Sequence, residues 1–212
     1  MDTDIALAKR LANDVDAAFP QLCVAHQDRL YSIALRLLGD RRDAEEVAQD
    51  ALVRAFRAMR EYPPERVADL KLRPWLASIT VNLARNRRRR HEDRQPPGSL
   101  EPMLDAGFDP PTPGHDTPAT SADRRETKRE LATALLDLTP AVRSAIVLRH
   151  VDGLSVAEVA EALGRPEGTV KSQIHRGLRE LRVILEAQPD PISSPHSPAR
   201  AARLLPALEA IR

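Results

Sequence analysis

Residues 139–186 read TPAVRSAIVLRHVDGLSVAEVAEALGRPEGTVKSQIHRGLRELRVILE, and this stretch decides the fold. Thr139-Pro140 pairs an N-cap residue with proline at the first helical position, which opens a helix through Val142, Ile146, Val147 and Val151. Gly153 ends it. Ser155 followed by Glu158 spells a capping box, in which hydroxyl and carboxylate each satisfy the other residue's free amide. The short helix behind it carries Val156, Val159, Ala160 and Leu163 on one face and closes at Gly164, a position that favours positive φ. Pro166 starts a third helix whose apolar stripe is Val170, Ile174, Leu178, Leu181 and Leu185.

Two short helices joined by a glycine turn, the second with a polar outer face, form the pattern of a helix-turn-helix. That outer face holds Thr169, Lys171, Ser172, His175, Arg176 and Arg179. A helix of this kind fits the major groove of B-DNA, where Arg and Lys bond guanine and Ser or Thr takes a base edge or a phosphate. A solvated basic face is the competing reading of the same residues. Agreement among the caps, the turn and the basic face favours DNA contact.

Outward from this stretch, the 212-residue chain has room for one large or two small domains. Hydrophobic residues at 42% are enough for packed cores, and aromatics at 3% mean those cores rest on Leu, Val, Ile and Ala. No run of alternating β-branched residues is bounded by turn chemistry, so the fold is expected to be all-α. A formal net charge of +1 hides a division along the chain. Between Arg73 and Arg90 there are six arginines and no acids, whereas Glu92 to Asp123 holds seven acids and one arginine. Such a split fits a polyanion-binding helix followed by a segment that repels or imitates nucleic acid. The single Cys23 excludes an internal disulfide, and its place in an apolar pattern favours a buried thiol. No stretch approaches the roughly 20 apolar residues of a membrane span, and the acidic N-terminus does not read as a signal peptide; cytoplasm is the default location.

Residues 1–15 carry a weak helical pattern (Ile5, Leu7, Ala8, Leu11) and read as a frayed or loosely docked leader. A strong helix is expected from about Asp16 to Leu38, with Phe19, Leu22, Cys23, Leu30, Ile33, Ala34, Leu37 and Leu38 on its apolar face and Gly39 as its stop. Asp40 caps the next, which runs to about Arg60 and buries Val47, Ala51, Leu52, Ala55, Phe56 and Met59. Its other face shows Asp43, Glu46, Gln49 and Asp50. After Tyr62-Pro63-Pro64 a loop reaches Leu72, and Pro74 opens a helix with Trp75, Leu76, Ile79 and Leu83 inward. That helix exposes Asn82, Arg85, Asn86 and the run Arg87-Arg88-Arg89-Arg90. On the residues alone, a solvated helix end and a nucleic-acid contact explain the run equally well.

The expected organisation is therefore two small helical domains, 16–91 and 124–187, joined by a flexible acidic, Pro-rich linker over 92–123 that contains seven prolines, with a tail over 188–212. Phosphate-loop motifs and metal-ligand spacings are absent from the sequence, and His26 and His150 read as surface or core residues. No catalytic residue, metal site or cofactor is expected.

Arg29-Leu30-Tyr31, Ala34 to Asp40, Asp43 to Asp50, Arg54-Ala55-Phe56 and Trp75-Leu76 with Ile79 and Asn82 resemble region 2 of the extracytoplasmic-function (ECF) sigma factors. Gly153-Leu154-Ser155, Glu158-Val159-Ala160, Leu163-Gly164, Pro166, Gly168 to Ser172, Arg176 and Leu181 resemble region 4 of the same family. The resemblance implies a dissociable subunit that binds core RNA polymerase and directs it to promoters. It implies that Asp43, Glu46, Gln49 and Asp50 dock on the β′ clamp helices. By the same resemblance, the loop from Tyr62 to Leu72 and Asn82, Arg85, Asn86, Arg88 and Arg89 meet the −10 element, while the helix-turn-helix reads the −35 element near the β flap. It also implies a linker threaded toward the polymerase active centre, and an anti-sigma factor as a further partner. Asn86 departs from the family, which often has an acid there. The competing function is a free-standing helix-turn-helix regulator, which would bind its operator as a dimer without polymerase.

Overall fold

The computed structural model describes residues 2–94 and 129–187, and among these no strand occurs. Five helices make the N-terminal lobe: α1 (Asp2–Asn13), α2 (Val15–Leu38), α3 (Arg41–Glu61), α4 (Pro64–Ala68) and α5 (Leu72–Arg94). The C-terminal lobe begins with α6 over 129–137 and α7 (Pro140–Ile146), which runs on as a π-turn through Val151. It ends with α8 (Val156–Leu163) and α9 (Glu167–Ala187). Residues 92–94, expected to open the linker, continue α5, and the rest of the linker and the tail fall outside the described residues.

Local chemistry explains most boundaries. Asp14 accepts from the amide of Ala17 and Asp40 from that of Asp43, so α2 and α3 both start on an aspartate cap. The capping box of α8 is complete: Ser155 N–H donates to Glu158 Oε2 at 2.8 Å and Glu158 N–H to Ser155 Oγ at 3.2 Å. Gly164 closes α8 at φ 61°, the left-handed conformation that glycine adopts without a Cβ clash. Thr139 differs from expectation, because its hydroxyl makes no capping bond and Pro140 alone sets the start of α7. Helix α5 begins at Leu72, ahead of Pro74. Its first backbone bond runs from Trp75 N–H to Lys71 C=O, and the amides before that have no helical partner to lose, so proline fits at the third position.

Three expectations are corrected. The segment between Tyr62 and Leu72 holds the short helix α4, which at five residues is too brief to show an apolar period. Residues 2–13 are not a loose leader: Leu7, Ala8 and Leu11 are fully buried against the rest of the lobe. Burial of each leucine contributes about 1.5–3 kcal/mol, more than a helix of this length loses by poor nucleation. Cys23, expected to be buried, is only half-buried, and desolvation raises its thiol pKa.

Helices α2, α3 and α5 pack on one another, and their small residues Ala34, Ala44, Ala51, Ala55 and Ala77 are each completely buried in the shared core. Leu22, Leu30, Ile33, Met59 and Leu76 fill the space beside them. This core does not stop at the lobe boundary, since Val147, Leu148, Leu154, Val159 and Val170 belong to it. A second cluster, Leu135, Leu138, Val142, Ile146, Leu181 and Leu185, binds α6 and α7 to α9. There α7 and α9 approach closely at Gly177: a Cβ at that position would lie 2.6 Å from Val142 Cγ1 and 2.8 Å from Ile146 Cγ1. Both neighbours are β-branched and stiff. In Gly177→Ala the overpacking costs about 1–3 kcal/mol against a helix-propensity gain of about 1 kcal/mol. A net loss of up to about 2 kcal/mol is expected in urea unfolding, and a gain would contradict this packing.

Two histidines make stability depend on pH. Burial holds His150 down from 6.5 to about 4, helped by the neighbouring Arg149, and its Nε2 finds no hydrogen-bond partner among the described residues. His26 is likewise lowered by burial, with Arg29 and Arg73 adding to the shift and Asp4 and Asp152 opposing it. As pH falls through 6.5 the unfolded chain takes up a proton at residue 150 that the folded protein refuses until about 4. Stability is therefore expected to fall between those two values and to level off below them. His150→Gln should make the urea midpoint fall less steeply across that window, with the share of His26 remaining.

Candidate nucleic-acid interface

Helix α9 is held from behind by Val170, Leu181 and Leu185, and the helical period then fixes what faces outward. Thr169, Lys171, Ser172, His175, Arg176 and Arg179 are all exposed on it, as the sequence pattern requires. The side chains are steadied locally: Arg176 Nε meets Glu180 Oε1 at 2.6 Å, Lys171 faces Glu167 at 3.8 Å, and Ser172 Oγ donates to Gly168 C=O. Exposed ion pairs of this sort hold little energy, so these cations exchange partners at small cost. Helix α8, fixed by its two caps, packs across α9 in the helix-turn-helix manner.

The second candidate surface lies on α5. Asn82, Arg85, Asn86 and Arg89 are exposed and spaced three, one and three residues apart, which is a single helix stripe. Arg88 is half-buried at its margin. At the foot of this helix, Tyr62 and Trp75 lie with ring centroids 6.3 Å apart, and the Arg66 guanidinium stacks 3.7 Å above the Tyr62 ring.

The four residues expected at the polymerase clamp divide into two pairs. Gln49 and Asp50 are exposed on α3. Asp43 is largely enclosed: its Oδ1 accepts from Arg87 Nε at 2.9 Å and Nη2 at 2.6 Å, and His91 Nε2 reaches its Oδ2 at 2.9 Å. Arg87 Nη1 also pairs with Glu46 Oε2 at 2.7 Å, and the bond to Asp43 is the main cause that raises the arginine's pKa. Arg87 and His91 thus brace α5 against α3, a role no local pattern reveals because Asp43 and Arg87 are 44 residues apart.

Acids from the C-terminal lobe engage cations beside α5. Buried Asp152 pairs with Arg29 through Nε and through Nη2, the latter at 2.5 Å, and Arg29 Nη2 also donates to Arg73 C=O at 3.0 Å. Arg73 Nη2 in turn donates to Asp152 C=O, and Lys71 Nζ meets Glu161 Oε2 at 3.1 Å. Arg143, 2% exposed, donates to Leu37 C=O at 2.8 Å, to Leu138 C=O at 2.9 Å and to Leu136 C=O. These cross-lobe contacts were invisible to periodicity.

Residues 22–94 match the family described as Sigma-70 region 2, and residues 128–181 match Sigma-70, region 4. The chain is 31% identical over 171 residues to the ECF RNA polymerase sigma factor SigW of Bacillus subtilis, covering 78% of this chain and 87% of SigW. It belongs to the ECF sigma factor family. The sigma factor is also 35% identical over 170 residues to the RNA polymerase sigma-E factor of Streptomyces avermitilis, across 80% and 86% of the two chains. Identity to the ECF RNA polymerase sigma factor SigE of Mycolicibacterium smegmatis is 35% over 175 residues, 80% of this chain and 63% of that one. Among solved structures, CnrH in complex with the cytosolic domain of CnrY superposes with a TM-score of 0.62 at 26% identity, over 88% of this sigma factor and 99% of CnrH. The sigma factor RpoE of Bartonella quintana, solved with the anti-sigma factor NepR, shares the fold at a TM-score of 0.59 and 23% identity, over 81% and 98% of the two chains. With regions 2 and 4 in one chain, this sigma factor binds core RNA polymerase and promoter DNA and directs transcription initiation. Among the described residues no helix is long and apolar enough to cross a membrane.

Proposed function

We propose that α9 reads the −35 element in the major groove through Thr169, Lys171, Ser172, His175, Arg176 and Arg179. The observation that carries this is their joint exposure on one polar face of a helix whose opposite face is locked into the core. The stripe Asn82, Arg85, Asn86 and Arg89, with Arg88 beside it, and the Tyr62–Leu72 segment meet the −10 element. Taking a base out of the stack costs a few kcal/mol, which stacking and backbone neutralisation by arginine offset. Gln49 and Asp50, with the exposed side of Glu46, offer the β′ clamp helices a complementary charged patch, while Asp43 holds that patch in orientation through Arg87. The region 2 unit extends over 16–91 and the region 4 unit over 124–187, both working in the cytoplasm without catalytic chemistry of their own. An anti-sigma partner belongs to the same reading, since RpoE of Bartonella quintana was solved with the anti-sigma factor NepR.

The test is transcription by reconstituted holoenzyme from a randomised promoter library, with Lys171, Arg176 and Arg179 each changed to Ala. A base-reading residue should cost about 1–3 kcal/mol at one −35 position and relax the preference there. A phosphate contact should lower output across all sequences and flatten its salt dependence. Unchanged −35 preference and unchanged salt dependence in all three variants would sink the assignment. Tight operator binding without core polymerase would favour a free-standing regulator instead.

A further inference from the structure

Helix α1 lies outside residues 22–94, the part of the chain that matches region 2. Its inward face is Asp4, Leu7, Ala8 and Leu11, one helical stripe, in which Leu7, Ala8 and Leu11 are fully buried and Asp4 faces buried His26 of α2 at 3.6 Å. The principal packing partner of α1 is α4. Helix α4 cannot stand alone: it has five residues and no side-chain cap, and only Val67 along it is fully buried. Pro64, Glu65 and Arg66, with the C-cap residue Asp69, are exposed, next to the Tyr62 ring over which Arg66 stacks. Tyr62 against Trp75, Lys71 paired with Glu161 and buried Leu72 anchor the two ends of this segment, and α1 is the main support of the helix between them.

We infer that α1 is a positioning element for promoter recognition: it holds α4, and with it the segment Tyr62–Leu72, at the place where selectivity for the −10 element is set. This rests on the assignment of that segment to the −10 element made above. Leu7 and Leu11 are positioning residues, since they touch no nucleic acid and act through α4. A recognition segment displaced by a fraction of an ångström loses discrimination faster than it loses binding, because correct and incorrect bases differ only in short-range contacts.

The experiment compares holoenzymes carrying the wild-type chain, Leu7→Ala/Leu11→Ala, Val67→Ala and Arg66→Ala. The template is a promoter selected from a random library by the wild-type holoenzyme, together with its single-base −10 variants and −35 variants. Expected is a loss of about tenfold in discrimination among −10 variants for the α1 double substitution and for Val67→Ala. Affinity for core polymerase and discrimination among −35 variants should stay within about twofold of wild type, and Leu11→Met should retain wild-type discrimination. Should the double variant not fold, Leu11→Ala is read in the same way. If Arg66→Ala alters −10 discrimination while the α1 and Val67 substitutions only lower the melting temperature, the inference is overturned. If Arg66→Ala and the α1 substitution both leave −10 discrimination intact, the assignment of the segment to that element fails and the inference with it.

Discussion

Arg143→Met is expected to lower the unfolding free energy by about 3–5 kcal/mol and the melting temperature by roughly 10 °C. The guanidinium sits almost wholly out of solvent and donates to three carbonyls, Leu37 at the end of α2 and Leu136 and Leu138 at the end of α6. Carbonyls at helix C-termini have no partner within their own helix and carry the negative end of the dipole, so a buried cation is well suited to collect them. Methionine keeps much of the volume and removes every donor. What is lost is then the charged hydrogen bonds together with the cost of stranding three buried acceptors. Arg143→Lys should recover little, because one ammonium lacks the planar fork that reaches two helix ends at once. Urea unfolding of both variants measures this, and a loss under about 1 kcal/mol for Arg143→Met would show the contacts to be energetically idle.

Asp152→Ala carries an expected cost of similar size, about 3–5 kcal/mol, for a different reason. The Asp152 side chain is 1% exposed and that of Arg29 is 16% exposed, so removing the carboxylate leaves a guanidinium with most of its hydration gone and its counter-charge missing. The intact pair gains much less than its loss costs, since both groups were taken out of water to form it. Replacing both, as Arg29→Met/Asp152→Leu, should therefore restore much of the stability lost in Asp152→Ala. A double-mutant cycle by urea unfolding isolates the coupling. Additive losses from the two single substitutions would mean the pair does not act as a unit.

Local chemistry written in consecutive residues was legible in the sequence. Asp40 and Ser155 cap helices because their side chains reach amides three residues on, and the outward face of α9 follows from the helical period alone. Interactions between distant residues were not. Arg29 and Asp152 lie 123 positions apart, so a chain read as two independent domains joined by a tether gives no sign of a core that runs through both. Helix α4 escaped notice because five residues span little more than one turn, and the firm docking of α1 was missed because a short stripe such as Leu7, Ala8, Leu11 looks the same whether it docks or frays. The residues proposed for the clamp show the mixed case: their placement on one face of α3 was readable, whereas the capture of Asp43 by Arg87 and His91 needed the third helix in place.

The buried alanines of α2, α3 and α5 bear on how such a chain can change over generations. Where helices touch through single methyl groups, almost any larger side chain wedges them apart, and the interior has few acceptable alternatives. Variation is then steered to the outward faces, the stripes of α5 and α9 among them. A lineage built this way can acquire new promoter preferences by surface exchange while the scaffold beneath is left alone.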